Sequence, residues 1–402
     1  IAGAGPLALV QLTSGSQGAP RAVRIGWPAL TANVAGIVDW LHMGQSDAVA
    51  SWLPLHHDMG LVGILLTSVA RQVDLRLMAP EEFLGRPLRY LREFGAGSAT
   101  LTAMPAFGLR HVLRRVRPES LTGLDFRGWR GLIVGAERID AGVLDAFTDL
   151  LASHGFRRHA LLPAYGLAEA TVAATGCPLS AEPVVRHLDA AGLGDEVREA
   201  PASDGRTVAA VGCGGPLPGV RLALVDGAGD DVADGRLGEI VVGGTSVADG
   251  YTDAGTGSHT RIADGRVYTG DAGVRIDGEL FVLGRMGDGV KVRGRALFAE
   301  SLEAALTDAG VPAERLAVLL GEDRGVPTAV VLVERPDPAV REAVRAALLP
   351  LLPDVRLVTV EAPARTIART SSGKPRRHEL WRRFRAGLLP VAGTPEPTVP
   401  AG

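Results

Sequence analysis

The sequence predicts an α/β fold, and three observations support it. Apolar runs that fit buried strands alternate with segments of helical spacing over the first 180 residues or so, as in βαβ architectures. From Val220 the pattern changes to short β-runs separated by Gly/Asp turns. The length of 402 residues is too great for one compact core, so two or three units are expected.

Strands and helices are expected in turn along the first part of the chain. Residues 7–12 form an apolar run that ends in a Ser/Gly cluster, which is typical of a buried strand that leads into a loop. Further strands are predicted at 48–53, 75–78 and 132–134. Helices are predicted at 27–41, 61–70, 86–94, 107–116 and 142–154.

The second part of the chain has a different pattern. Residues 181–211 are rich in charged and small residues, which predicts either an exposed insertion or a boundary. Residues 220–287 predict a β-rich subdomain. After Asp288 a strand pair, a helix at 299–309 and further short strands predict a compact α+β unit. The proline-bearing tail after residue 386 predicts a linker.

Composition excludes several classes of protein. Forty-two Lys+Arg against 45 Asp+Glu give a net charge of -3, so no basic field indicates nucleic acid as a partner. The longest apolar stretch, 61–70, is about half of a bilayer crossing, and no membrane span is expected. Cys177 and Cys213 cannot form a disulfide framework, so a cytoplasmic location is the default expectation.

A Ser/Gly-rich segment follows the first predicted strand. It runs Thr13-Ser14-Gly15-Ser16-Gln17-Gly18-Ala19-Pro20-Arg21. Closely spaced glycines and hydroxyls allow backbone N–H groups to converge on phosphate oxygens without obstruction by Cβ atoms. The alternative is an ordinary turn between a strand and a helix, and this segment alone does not decide between the two.

Six further motifs follow in order. They are Trp52-Leu53-Pro54-Leu55-His56-His57-Asp58-Met59-Gly60, Gly135-Ala136-Glu137, Tyr165-Gly166-Leu167-Ala168-Glu169, Tyr268-Thr269-Gly270-Asp271, Gly284-Arg285 and Arg369-Thr370-Ser371-Ser372-Gly373-Lys374. With the Ser/Gly segment, this set resembles the adenylate-forming superfamily, which includes acyl-CoA synthetases and nonribosomal adenylation domains. The resemblance covers nearly the whole chain. It implies the adenylate-forming enzyme fold, with a large α/β domain, a β-rich subdomain and a small mobile C-terminal α+β domain.

The resemblance also implies boundaries. The large adenylation domain would span 1–287, with a ligase-type insertion at 181–211 and the β-rich subdomain at 220–287. The small domain would span 288–385 and turn about the hinge residue Asp288, and 386–402 would be a linker or tail. Because the first motif follows Ile1 so closely, the chain is expected to lack an N-terminal part of the large domain.

Activation of a carboxylic acid, with ATP and Mg²⁺ as cofactors, is the activity that the resemblance implies. Lys374 would neutralise charge between the carboxylate and the α-phosphate, with His57 and Glu169 as the other catalytic residues. Glu169 and Thr13 would hold Mg²⁺, a hard ion that prefers oxygen ligands. The residues expected to bind ATP or AMP are Thr13, Ser14, Gly15, Ser16, Gly18, Gly135, Ala136, Glu137, Tyr165, Gly166, Leu167, Asp271 and Arg285.

Each of these residues has an ordinary alternative. Outside this context, Glu169 fits a solvated helix face, Asp271 a turn and Lys374 a basic surface patch. The ordered motifs favour the functional interpretation for all three, catalytic for Glu169 and Lys374 and nucleotide-binding for Asp271. His57 stays open, since it could gate the acyl pocket or satisfy a hydrogen bond in the core. Acyl-pocket residues are suggested at Met104, Ala106, Gly108 and Leu161.

Within the superfamily, the segment around His57 resembles the fatty acyl-AMP ligase form. The long stretch after Tyr165 resembles the insertion of those ligases, which implies a fatty acid substrate and an acyl-carrier-protein phosphopantetheine thiol as acceptor. Three positions depart from the family pattern: Arg21 replaces a Lys, Gly287 a Lys and Ala299 a Pro. Two alternatives remain, an acyl-CoA ligase and a non-catalytic remnant of an adenylation domain.

Overall fold

The computed structural model describes residues 7–13, 21–189, 196–201, 207–252, 259–293, 295–335, 338–369, 373–390 and 397–398. Its strands are β1 Leu7–Leu12, β2 Ala22–Gly26, β3 Ala48–Ser51, β4 Asp74–Leu77, β5 Leu101–Pro105, β6 Gly131–Gly135, β7 Leu161–Tyr165, β8 Thr175–Gly176, β9 Val185–Asp189, β10 Thr207–Val211, β11 Gly215–Pro216, β12 Val220–Val225, β13 Gly238–Gly244, β14 Gly250–Tyr251, β15 Arg261–Ala263, β16 Arg266–Ile276, β17 Glu279–Arg285, β18 Gly289–Val292, β19 Arg295–Phe298, β20 Leu316–Asp323, β21 Val326–Glu334, β22 Arg356–Ala362 and β23 Pro397–Thr398.

The helices lie mostly where helical spacing predicts them. They are α1 Trp27–Trp40, α2 Thr67–Arg71, α3 Pro80–Gly85, α4 Pro87–Gly95, α5 Ala106–Arg115, α6 Ala141–Ala152, α7 Ala299–Asp308, α8 Pro338–Leu348 and α9 Arg377–Arg385. A π-helical segment, Met59–Leu66, precedes α2, so the helix predicted at 61–70 is π-helical over its first part. Short 3-10 turns include Ala168–Ala170 and Met286–Asp288.

A seven-stranded sheet forms the centre of the large unit, which comprises the described residues up to 287. Its strand order is β11-β8-β7-β6-β5-β3-β4, and the strands from β4 to β7 run parallel. Met104, Val134 and Pro163 lie in one register row near the carboxyl ends of β5, β6 and β7. In open parallel sheets, ligands bind at the carboxyl ends of the strands. The motifs at the ends of β6 and β7 therefore lie where a binding site is expected.

The β-rich part of the large unit is a five-stranded antiparallel sheet. Its order is β12-β13-β16-β15, and β17 also pairs with β16, on the side opposite β13. The pairing of β16 with β17 sets Asp271 opposite Arg285, although 14 positions separate them in the sequence. Antiparallel register therefore joins two of the motifs into one feature.

The small unit, which comprises the described residues from Asp288 onward, has its own core. β20 pairs with β21 antiparallel, and β21 pairs with β22 in parallel. Val318 and Val331 pack with α7 and α8, whereas their neighbours Leu319 and Val330 pack with Leu380 of α9. The alternation of side chains along a strand thus covers both faces of this sheet with helices.

Residues 181–211, which the sequence predicts to be an exposed insertion or a boundary, contain regular structure. β9 and β10 form an antiparallel hairpin, with Asp189 opposite Thr207. Leu188 and Ala210 pack in a core with Phe281 of β17, whereas Val208 packs in the core of the small unit. Burial of alternate apolar residues in two different cores holds the hairpin in place, and the many charges around it masked this pattern in the sequence.

The predicted linker contains a short pairing. Pro397–Thr398 pairs with Leu357 and Val358 of β22, while 391–396 and 399–402 lie outside the described residues. In the part of the chain that the structure describes, no helix combines the length and the apolar character that a membrane crossing requires.

Candidate active site

Asp271 is the centre of a buried polar group at the edge of the parallel strands. Arg285 Nε lies 3.1 Å from one of its carboxylate oxygens, and the Tyr165 hydroxyl donates a hydrogen bond to the other at 2.7 Å. The Asp271 N–H donates to Thr269 Oγ1 at 3.1 Å. Burial and the Asp271 charge raise the pKa of Tyr165, so its hydroxyl stays a donor. An ionised carboxylate keeps further lone pairs for hydroxyl groups of a ligand.

Glu169 lies in the 3-10 turn that follows Tyr165, Gly166 and Leu167. It is only 6% exposed, and the Tyr251 hydroxyl donates to its Oε1 at 2.8 Å. The turn is tight, since a Cβ on Gly166 would lie 1.7 Å from the Val172 carbonyl oxygen. Burial raises the pKa of Glu169, while the Tyr251 hydrogen bond and the charges of Arg285 and Arg21 lower it.

The two end residues of the Ser/Gly segment, Thr13 and Arg21, lie near Tyr251 and Glu169. The Arg21 N–H donates to Thr13 Oγ1 at 3.1 Å, and the Arg21 guanidinium lies over the Tyr251 ring, 3.3 Å from its centroid. Arg21 therefore holds both Thr13 and the tyrosine that contacts Glu169. The remaining predicted residues of the segment, Ser14, Gly15, Ser16 and Gly18, lie outside the described residues.

Gly135 is the last residue of β6, and Ala136 and Glu137 follow it at the carboxyl edge of the sheet. Ala136 has a φ of 65°, in the left-handed region that non-glycine residues rarely adopt. The Glu137 carboxylate accepts hydrogen bonds from the Phe107 N–H and from Arg110 Nη2, the latter at 3.2 Å. Because the Glu137 carboxylate is hydrogen-bonded to α5, we expect the backbone of this motif, and not the Glu137 side chain, to contact the nucleotide.

Lys374 extends from the small unit toward the carboxylates of the large unit. Burial and the charge of Arg285 lower its pKa, whereas Asp271, Glu137 and Glu300 raise it. Lys374 in turn acts on Asp58, whose pKa burial raises and Lys374 lowers. Lys374 therefore interacts electrostatically with Arg285, Asp271 and Glu137, which the motifs predict to bind ATP.

The loop that carries Lys374 is fixed at its base. The Arg369 guanidinium donates hydrogen bonds to the carbonyl oxygen of Gly373 at 3.0 Å and to that of Leu316 at 3.1 Å. Arg376 N–H donates to the Ala368 carbonyl oxygen at 2.8 Å. Residues 370–372, between these anchors, lie outside the described residues.

His57 is half-buried beside Asp58. Burial and the adjacent His56 ring, 4.7 Å away between centroids, lower the pKa of His57, so the imidazole is neutral near pH 7. No side-chain hydrogen bond of His57 is found within the described residues, and neither of its two predicted roles is tested by this. Its role as a gate stays a prediction.

The four suggested acyl-pocket residues lie in β5, α5 and β7. Met104, Ala106 and Gly108 lie around the start of α5, where the side chains of Met104 and Trp52 pack against Gly108. Leu161 begins β7, four residues before Tyr165, so it lies roughly 13 Å along the strand from the carboxyl edge. Leu161 shares a core cluster with Met104 and Ala106, and the acyl-pocket role of all four residues stays a prediction.

Asp288, the expected hinge, is 9% exposed and pairs with Arg377 at 3.1 Å. The same guanidinium contacts Glu300 and Glu303, each at 2.8 Å. Reasoning from the sequence missed Arg377, Glu300 and Tyr251. The available signals were weak: Arg377 opens a helix three residues after Lys374, and Tyr251 is one of only four tyrosines.

The donor set fits Mg²⁺ bound together with a nucleotide. Glu169 and Thr13 supply two oxygen atoms, and Mg²⁺ usually takes one or two protein oxygens, with waters and phosphates as its other ligands. No cluster of three or more His, Cys, Asp or Glu residues suited to a metal occurs within the described ranges. A site completed by phosphate oxygens is the kind that these residues can form.

The family model described as AMP-binding enzyme matches residues 2–252. The chain belongs to the AMP-binding enzyme family. A Caulobacter vibrioides protein provisionally named an acyl-CoA synthetase is 31% identical over 298 residues, 73% of this chain and 52% of that protein. A medium-chain-fatty-acid–[acyl-carrier-protein] ligase of Teredinibacter turnerae is 30% identical over 316 residues, 75% of this chain and 49% of that protein.

A solved structure from a study of fatty acyl-adenylate ligases from E. coli and L. pneumophila matches this AMP-binding enzyme with a TM-score of 0.83. The sequences are 30% identical, and the match covers 95% of this chain and 70% of that one. The resemblance and the α/β adenylate-forming fold are thus confirmed. The chain spans about half the length of the two curated relatives above.

Proposed function

We propose that this AMP-binding enzyme activates a fatty or related carboxylic acid with ATP. A carboxylate oxygen of the acid attacks the α-phosphorus, the bond from that phosphorus to the bridging oxygen of pyrophosphate breaks, and acyl-AMP and pyrophosphate form. The observation that supports this proposal is the electrostatic interaction of Lys374 with Arg285 and Asp271, which pair with each other at 3.1 Å. Both reactants are anions, so a cation between them stabilises the charge that develops in the transition state.

The other described residues have matching roles in the proposal. Asp271 accepts hydrogen bonds from the ribose hydroxyls, with its orientation fixed by Arg285 and Tyr165. The Tyr165 ring offers an apolar face to the adenine base. Glu169 and Thr13 would hold Mg²⁺, which supplies positive charge at the phosphate oxygens when it is bound.

We further propose that the acyl group passes to the phosphopantetheine thiol of an acyl-carrier protein. The β9–β10 hairpin supports this acceptor because it packs both on β17 and in the core of the small unit. A hairpin packed between the two units would restrict the rotation of the small unit about Asp288, which the transfer of the acyl group requires. The naming of the Teredinibacter turnerae relative as a carrier-protein ligase agrees.

An acyl-CoA ligase is the second candidate, favoured by the name of the Caulobacter vibrioides relative. Product analysis distinguishes the two with the complete gene product, ATP, Mg²⁺ and a panel of fatty and aryl acids. CoA or a phosphopantetheinylated carrier protein is then added. The proposal expects acyl-AMP from fatty acids and efficient acylation of the carrier alone; efficient acyl-CoA formation would favour the second candidate.

A non-catalytic remnant is a third possibility, and thermal unfolding tests it. A folded nucleotide binder gains stability as RT ln(1 + [L]/Kd) when the ligand is present. We expect ATP with Mg²⁺ to raise the melting temperature of the complete protein. An unchanged melting temperature together with no acyl-AMP would favour the remnant.

A further inference from the structure

One carboxylate of the small unit lies where the two units meet. Glu300, the second residue of α7, accepts a hydrogen bond at its Oε1 from Arg377 Nη1 at 2.8 Å. Its other oxygen, Oε2, is buried without a hydrogen-bond partner within the described residues. A buried carboxylate oxygen without a partner is unfavourable unless nearby charges compensate for it.

The unpaired oxygen faces the large unit. A Cβ added to Gly284 of β17 would lie 2.8 Å from Glu300 Oε2 and 2.7 Å from the Phe298 Cβ. Ser301 Oγ, beside Glu300, donates to the Leu283 carbonyl oxygen at 3.3 Å. We name these five residues the α7–β17 contact. The two elements approach each other so closely here that a side chain at position 284 would clash with Phe298 and Glu300.

Burial raises the pKa of Glu300, and the charge of Arg377 opposes that rise. Two cations from each unit interact with the ionised Glu300 carboxylate. Arg377 and Lys374 belong to the small unit, and Arg138 and Arg285 belong to the large unit; the Glu300 carboxylate acts to raise the pKa of all four. Arg138 also lies 3.4 Å from Ser301 Oγ, which ties it to the start of α7. A turn of the small unit about Asp288 would carry Arg377 along with Glu300 but would leave Arg138 and Arg285 behind.

We propose that Glu300 is a positioning residue that holds the small unit in the orientation that presents Lys374 to the nucleotide site. This inference rests on the proposed adenylation activity. Glu300 acts through Lys374 and touches no expected substrate atom. Loss of its charge removes the attraction to Arg138 and Arg285, so Lys374 spends less time in the site. The nucleotide contacts at Asp271 and Tyr165 do not depend on it.

Glu303 provides a matched control. It contacts the same guanidinium, through Arg377 Nη2 at 2.8 Å, and accepts a hydrogen bond from the Val318 N–H at 2.9 Å. Both partners lie in the small unit. Glu303→Gln therefore perturbs the Arg377 cluster and removes a weaker attraction to Arg138, but it leaves the α7–β17 contact in place.

The experiment measures two partial reactions of the complete protein. ATP–pyrophosphate exchange reports adenylation. Single-turnover transfer of the acyl group from synthetic decanoyl-AMP to a phosphopantetheinylated carrier protein reports the second step, acyl transfer. For Glu300→Gln we expect kcat of exchange to fall about tenfold while the KM for ATP stays within about twofold, since misorientation of a catalytic group affects the chemical step. Transfer should be unchanged or faster, and Glu300→Asp should recover part of the exchange.

Gly284→Ala tests the same contact from the large unit and should give the same split between the two reactions. Glu303→Gln should not give it. The inference is overturned if Glu300→Gln exchanges at the parent rate, or if it loses exchange and transfer in equal proportion, as a folding defect would. A parent protein that performs no exchange with any acid would instead refute the proposed function, and the inference with it.

Discussion

Lys374 has a pKa that depends on the arrangement of both units. Burial and Arg285 lower this pKa, while three carboxylates act in the opposite direction. The ammonium form is the one that can neutralise charge at the α-phosphate. The net lowering means that this form is lost at a lower pH than for an ordinary lysine, whose pKa is about 10.4.

This shift predicts a basic limb in the pH profile of adenylation. Because the charged form exists below the pKa, kcat/KM of exchange should fall as pH rises, at a pH below the ordinary lysine range. Lys374→Arg keeps its charge throughout, so whatever rate it retains should lack this limb. Profiles of both proteins check the point, and an identical basic limb in the two would assign the titration to another group.

Glu169 gives a second prediction at the residue scale. Glu169→Gln keeps the shape and the Tyr251 contact but removes the charge that Mg²⁺ requires. We expect exchange to fall at least tenfold at low Mg²⁺ and to recover partly at high Mg²⁺. Glu119, an exposed residue in another 3-10 turn, provides the control Glu119→Gln. Equal Mg²⁺ dependence of Glu169→Gln and the parent would show that Glu169 does not hold the metal.

At the scale of elements, the β9–β10 hairpin links the large and small units. β10 contacts α7, and Arg138 donates a hydrogen bond to the Ala209 carbonyl oxygen at 3.1 Å. On the same strand Val208 packs in the core of the small unit, whereas Val211 packs in the core of the large unit. One short strand therefore contributes to two cores, and each contribution can be weakened separately.

Val208→Ala and Val211→Ala form a matched pair on this strand, since both valines are 6% exposed. Each substitution removes similar buried surface, at a cost of about 1–3 kcal/mol of stability. If the hairpin restrains the small unit, Val208→Ala should raise acyl-CoA formation several-fold and Val211→Ala should not. Quantifying acyl-CoA against acyl-carrier product provides the measurement, and an equal effect of both variants would reduce the hairpin to a stabilising role.

The sequence predicted most elements of the large unit and the ordered motifs of the site, because apolar periodicity and Gly-rich turns are local properties. It did not predict the role of Tyr251, whose approach to Glu169 depends on the long-range pairing of β14 with β2. Glu300 was missed for the same reason, since its neighbours come from β17 and α9. The β9–β10 hairpin escaped prediction because its few apolar residues pack in separate cores.

In the whole molecule, the proposed catalytic site combines residues from the large unit and the small unit. Asp271, Arg285, Glu169 and Tyr165 belong to the large unit, and the small unit contributes Lys374. The contacts of Arg138 and Glu300 connect them in this orientation. The proposed adenylation would therefore require both units together, and a defect in either should affect the chemical step.

ATP–pyrophosphate exchange by the complete protein and by Lys374→Ala tests this account most directly. We predict exchange that depends on a fatty acid and falls by about 100-fold or more in the variant, while ATP affinity, measured by calorimetry, stays within about threefold. The expected split reflects a lysine that acts mainly on the transition state. Exchange at the parent rate by Lys374→Ala would contradict the central claim that the two units form one catalytic site through this residue.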